Sequence, residues 1–169
     1  MSKGIVIAGF GAIGKTIVGN KYDNIIDLES SYYKWDNTGF ENLTFEELKG
    51  IVRPVNKDWP ENYHKAIVEA RKVYDVVLTS MHDHVLKFLE QNEIDYYLVI
   101  PTLDSDEIIK QRCYDRGNNE NFVTILIDTL YNFDKKIDDY HPKEILKINK
   151  NEYLEDVLIK ASIINKRVN

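Results

Sequence analysis

Between a short β-branched run, Gly4 to Ala8, and a segment of helical pattern, Lys15 to about Asn20, the chain reads Gly9-Phe10-Gly11-Ala12-Ile13-Gly14-Lys15-Thr16. This is GxxxxGK[ST] in strand–loop–helix context, and it limits the possible folds more than any other feature. A strand that ends in such a loop and passes at once into a helix opens a βαβ unit, so a parallel sheet covered on both faces is expected. Glycines let the backbone wrap closely enough for successive N–H groups to converge on a phosphate, and the helix N-terminus adds a favourable dipole. In that arrangement Lys15 reaches the β and γ phosphates of ATP or another nucleoside triphosphate, and the Thr16 hydroxyl ligates Mg²⁺. Gly9, Phe10, Gly11, Ala12, Ile13, Gly14, Lys15 and Thr16 are therefore the candidate donor-binding residues.

A second pattern overlaps the first. Gly9, Gly11 and Gly14 also spell GxGxxG, and Asp27 or Glu29 lies near the distance at which a dinucleotide-binding fold places its ribose acid. Lys15-Thr16 favours the triphosphate, because a dinucleotide site requires neither an ammonium nor a metal-binding hydroxyl at that point. Beyond the loop, strands are expected at Asn24 to Leu28, Asp75 to Thr79, Tyr96 to Ile100 and Glu144 to Ile148. Helices are expected at Glu61 to Val73, His82 to Gln91, Asp104 to Tyr114, Glu120 to about Ile137 and Glu152 to Ile164. Gly117-Asn118-Asn119 breaks the third of these from the fourth, with Asn118 or Asn119 as cap. Residues 31 to 57 read as a covering segment that contains one amphipathic stretch, Phe45 to Ile51, after the N-cap Thr44.

With 169 residues the chain is expected to form one domain, 1–169. Its net charge of −6 repels a phosphodiester backbone, so no nucleic-acid polymer is expected as partner. Cys113 alone can form neither an internal disulfide nor a thiolate zinc cage, and no uncharged apolar run reaches the ~18 residues of a membrane span. A cytoplasmic protein with no membrane partner is expected.

Asp27 and Glu29 end the second strand and project from the carboxyl edge of the sheet, where one of them would orient an acceptor or its Mg²⁺. A solvated strand end is the alternative. Arg112 and Arg116 are four apart on a helix and share a face that could fold over a transferring phosphoryl group; pairing with Asp106 or Asp115 is the alternative. Arg53 could clamp an anionic acceptor bidentately. His82 and His84, at i and i+2, should diverge on a helix and give no zinc site. Ser80 stands where many phosphate-loop proteins order Mg²⁺ with an aspartate, leaving Asp83 or Asp27 for that role. Tyr32, Tyr33, Trp35 and Trp59 could stack on a base or belong to the core.

These residues resemble the small P-loop kinases of the adenylate kinase and shikimate kinase group, and especially uncharacterised phage-type nucleotide-kinase-like proteins. GFGAIGKT resembles the phosphate loop of the group, DLESS its acidic second-strand motif and QRCYDRGNN its lid. DWPENY and KINKNEYLEDVL resemble stretches of the phage-type proteins. The resemblance implies a three-layer α/β sandwich with a parallel sheet in the order 2-3-1-4-5, an acceptor segment at about 31–57 and a lid at about 104–120. It implies Lys15 and Thr16 as phosphate and Mg²⁺ ligands, Arg112 and Arg116 as lid arginines and Asn149 to Tyr153 near the donor base; with the residue reading above, the expected catalytic residues are Lys15, Asp27, Arg112 and Arg116, with Asp27, Glu29 and Arg53 toward the acceptor. The implied reaction is ATP- and Mg²⁺-dependent phosphoryl transfer to a nucleoside or (deoxy)nucleoside monophosphate. A non-catalytic nucleotide-binding regulator and a dinucleotide-binding Rossmann protein are the alternatives.

Overall fold

A computed structural model describes residues 3–167. Five strands, β1 (Ile5–Gly9), β2 (Ile25–Asp27), β3 (Val76–Ser80), β4 (Tyr96–Pro101) and β5 (Glu144–Ile148), form one parallel sheet in the order β2-β3-β1-β4-β5. The three inner strands are apolar almost throughout, as burial on both faces requires, and Val6, Ile7, Ala8, Val77, Leu78, Leu98 and Val99 have no exposed surface. Helices α1 (Lys15–Lys21), α2 (Ser31–Lys34), α3 (Phe45–Leu48), α4 (Glu61–Ala70), α5 (Asp83–Gln91), α6 (Asp106–Asp115), α7 (Glu120–Asp134) and α8 (Leu154–Lys160) make the remaining layers. The five-stranded α/β sandwich and its strand order are those expected from the sequence.

Local chemistry sets the ends of these elements. Thr44 and Glu47 form the reciprocal capping box that starts α3, and the Asn119 side chain accepts from Phe122 N–H at the start of α7. Several helices are shorter than their apolar periodicity suggested. The fourth stops at Ala70 because Arg71 turns back to the sheet, where its carbonyl accepts from Gly4 N–H at 2.8 Å. The seventh stops at Asp134 and a 3₁₀ turn, Ile137–Asp139, follows; the eighth ends before Ser162, whose φ of 56° is left-handed. His82 is the N-cap of α5 rather than its first residue.

Two close approaches shape the carboxyl edge of the sheet. A methyl group on Gly19 of α1 would stand 2.9 Å from Asp27 Cβ and 3.1 Å from its backbone nitrogen, so α1 lies directly on β2 only because that side chain is absent. The buried Tyr63 of α4 donates its hydroxyl to the Leu28 carbonyl at 2.7 Å and accepts from Ser80 N–H at 3.1 Å. Leu28 N–H already donates to the Leu78 carbonyl, so a direct bond from Ser80 N–H to Leu28 would be the next rung of the parallel ladder. The tyrosine hydroxyl replaces that rung and splays β2 from β3 where their carboxyl ends face the cleft.

Candidate active site

The carboxyl ends of β1, β2 and β3 open into a cleft of about 2200 Å³. Of the loop residues, Gly9, Phe10, Gly11, Ala12, Gly14, Lys15 and Thr16 line it; Ile13 is buried and instead gives its carbonyl to Leu154 N–H at 2.9 Å. Ala12 at φ 58° and Gly14 at φ 98° are left-handed, which turns the loop tightly around its own concavity. Gly14 caps α1, so the helix dipole points into the cleft. Lys15 folds over the loop, and its ammonium donates to the Gly9 carbonyl at 3.0 Å and the Phe10 carbonyl at 2.6 Å. Burial lowers the Lys15 pKa, while Asp27 and Glu29 oppose that shift.

Thr16 donates its hydroxyl to Asp27 Oδ2 at 2.9 Å, and Asp27 Oδ1 is buried without a partner. Burial raises the Asp27 pKa, against the lowering effect of Lys15 and of the threonine bond. A hydroxyl and a carboxylate with one orphaned oxygen are a donor set of the kind Mg²⁺ takes, so these residues fit the ion that the loop motif implies. Asp83 does not compete for that role: it pairs with Lys87 at 2.7 Å and accepts from the Tyr140 hydroxyl at 2.5 Å. Glu29 also faces the cleft and accepts from the Ser31 hydroxyl at 3.0 Å.

Arg112 and Arg116 differ. Arg112 lies 3.9 Å over the Tyr153 ring and donates to the Glu152 carbonyl at 3.1 Å, while Arg116 caps the exposed end of α6. Tyr153 lies against the loop, since a Cβ on Gly14 would be 3.6 Å from its ring. A planar cation on an aromatic ring beside a phosphate loop is a platform of the right shape for a base. Asn149 is outside the cleft; its N–H is bound by Glu152 Oε2 at 3.0 Å in the turn after β5. Arg53 is also outside, and its guanidinium donates to Asn37 Oδ1 while its Nε is buried and unpaired.

Among the aromatic residues, Tyr32 and Trp35 line the cleft, whereas Tyr33 and Trp59 pack on Tyr63 with ring centroids 5.2 and 5.7 Å away. His82 binds Ser80 Oγ at 2.8 Å and stacks on His84 at 5.6 Å, because a residue that precedes the helix does not diverge from its neighbour as the helical period would demand. His84 in turn meets His64 through nitrogens 3.1 Å apart. No group of three His, Cys, Asp or Glu among the described residues could hold a metal ion. Nothing in the sequence pattern marks Tyr63 for a role, and Gly19 is not among the expected site residues. For Gly19 a signal existed, since a glycine inside a helical pattern commonly marks close packing.

No protein-family model matches the chain, and no curated protein sequence matches it. Among solved structures, a gluconokinase from Sinorhizobium meliloti 1021 superposes with a TM-score of 0.50 at 14% identity, over 95% of this chain and 89% of the other. An uncharacterized protein from Eubacterium ventriosum ATCC 27560 superposes with a TM-score of 0.44 at 13% identity, over 99% of this chain and 100% of the other. Strand order, loop motif and the first of these superpositions together give the chain a P-loop kinase-like fold.

Proposed function

We propose that this chain is a small-molecule kinase, which transfers the terminal phosphoryl group of ATP to a nucleoside or (deoxy)nucleoside monophosphate bound against the end of β2. The loop Gly9–Thr16 carries this reading: its left-handed turn, helix N-terminus and inward ammonium form one concave cationic surface. Its amides and Lys15 hold the donor phosphates and offset the charge that develops on them. Thr16 and Asp27 would hold Mg²⁺, which supplies further charge neutralisation. Glu29 orients the acceptor, Arg112 and Tyr153 face the donor base, and Arg116 reaches the transferring group. Such a site works mainly by positioning, because phosphoryl transfer asks for little covalent chemistry from the protein.

A non-catalytic nucleotide sensor is the second reading, favoured by Ser80 in place of an aspartate at the end of β3. Thermal-shift measurements with ATP, GTP, deoxynucleoside monophosphates and NAD, with and without Mg²⁺, separate these readings when combined with a search for phosphorylated product. Lys15→Ala is expected to abolish stabilisation by triphosphates and to leave the circular dichroism spectrum unchanged. Wild-type stabilisation in that variant, or stabilisation by NAD independent of Mg²⁺, would overturn the donor site.

A further inference from the structure

Resting on the kinase reading, we propose that the acceptor is uncharged: a ring compound with neighbouring hydroxyl groups rather than a monophosphate. The chain has five arginines, and each can be followed to its place. Arg71 Nε donates to the Gly4 carbonyl and Arg167 holds Asp23 and the Lys21 carbonyl, both away from the carboxyl edge of the sheet. Arg53 is bound to Asn37 and does not line the cleft. Arg112 is stacked on Tyr153 beside the phosphate loop, and Arg116 follows it on the same lid. Arg116 lines the cleft close enough to act on the charges of Asp27 and Lys15, at the place of the transferring group, so no arginine remains for a phosphate carried by the acceptor itself.

That wall is instead acidic and aromatic. Asp27, Glu29 and Glu46 line it, and Lys49 is neutralised by Glu46 at 2.7 Å. Lys34 also lines the cleft, 4.8 Å over the Trp35 ring, while Lys15 and Arg116 belong to the donor side. A phosphate dianion is held most effectively by bidentate guanidinium forks, and carboxylates at the same place repel it. A neutral diol reverses both terms: Glu29 accepts its hydroxyl hydrogens, and Ser31 is already hydrogen-bonded to that carboxylate. The Tyr32 and Phe45 rings, 4.9 Å apart at the cleft, offer an apolar face to a flat ring. In the transfer step the acceptor hydroxyl oxygen bonds to the terminal phosphorus as the bond from phosphorus to the bridging oxygen of ADP breaks. The hydroxyl proton passes to the Glu29 carboxylate.

The test is a transfer assay with the full chain, Mg²⁺ and ATP, read by mass spectrometry of the products. One arm contains nucleosides and neutral monosaccharides, and the other contains the matching 5′- or sugar monophosphates. We expect neutral members to be phosphorylated with kcat/KM at least tenfold above their monophosphates. Glu29→Gln should lower that value at least tenfold and leave the ATP-induced thermal shift unchanged. Preference for monophosphates overturns the proposal, as does ATP binding without transfer to any neutral member. Absence of any Mg²⁺-dependent thermal shift with ATP would instead remove the kinase reading itself, so the two failures are distinguishable.

Discussion

Asp27 is held in a conformation that works against stability. Its Oδ1 has neither partner nor solvent, and burial raises its pKa above the ordinary 3.8. The sign follows from linkage: the fold disfavours the ionised carboxylate, so the penalty is absent below 3.8 and complete once the pH exceeds the raised value. Asp27→Asn is therefore expected to melt at or above the wild-type temperature near pH 7.5 in Mg²⁺-free buffer, and to lose the extra stabilisation that Mg²⁺ gives to ATP. Melting curves with ATP alone and with ATP plus Mg²⁺ check both halves; a lower melting point without metal would mean that the Thr16 bond outweighs desolvation. At this scale the loop residues were legible because the motif dictates local conformation as well as chemistry. Arg53 and Asn149 were not, because the direction of an isolated loop side chain depends on neighbours such as Asn37 and Glu152 that no local pattern reveals.

Tyr63 shows how an element far from the phosphate loop shapes the crevice. Through its hydroxyl, α4 takes over the last rung between β2 and β3. Tyr63→Phe leaves a buried N–H of Ser80 and carbonyl of Leu28 without their partner, and a loss of about 1–3 kcal/mol is expected. Urea unfolding measures it as a lower midpoint with an unchanged slope. Full stability in the variant would mean that the two backbone groups pair directly and the strands close. The strands were readable because short apolar runs between helices point to a parallel sheet, whereas their order followed from the resemblance to the small P-loop kinases and not from the runs themselves. The helix ends were less so: apolar spacing continues past Ala70 and Asp134, and tertiary contacts end those helices first. The Tyr63 contact was hidden because in the sequence it is one more apolar position on the inner stripe of α4.

Across the whole molecule, the histidine group beside β3 is expected to contribute to acid sensitivity between the ordinary imidazole value of 6.5 and about 4. Burial lowers the pKa of His64, His82 and His84, the last to about 4, with its two histidine neighbours and Lys34 adding to the effect and Asp83 opposing it. Since these imidazoles are kept neutral by the fold, their contribution is fully present above the unfolded value of 6.5 and is lost as the pH falls toward about 4. The melting temperature is expected to decline across that window, and His84→Phe should flatten the decline. A flat profile in the wild type would remove this contribution, and a decline unchanged in His84→Phe would assign the acid sensitivity to other groups. Fold, cleft and charge were visible from the chain as a whole, but the assembly of three rings was not, because His64 comes from a different helix.

The contact between Gly19 and Asp27 has an implication for judging related chains. The helix that carries Thr16 seats that hydroxyl against its carboxylate only while position 19 lacks a side chain. A homologue with alanine there would still display every letter of GxxxxGKT, yet its threonine would be levered away from the carboxylate of Asp27. Scoring such a sequence by its signature would count it as competent, when the decisive loss lies outside the signature.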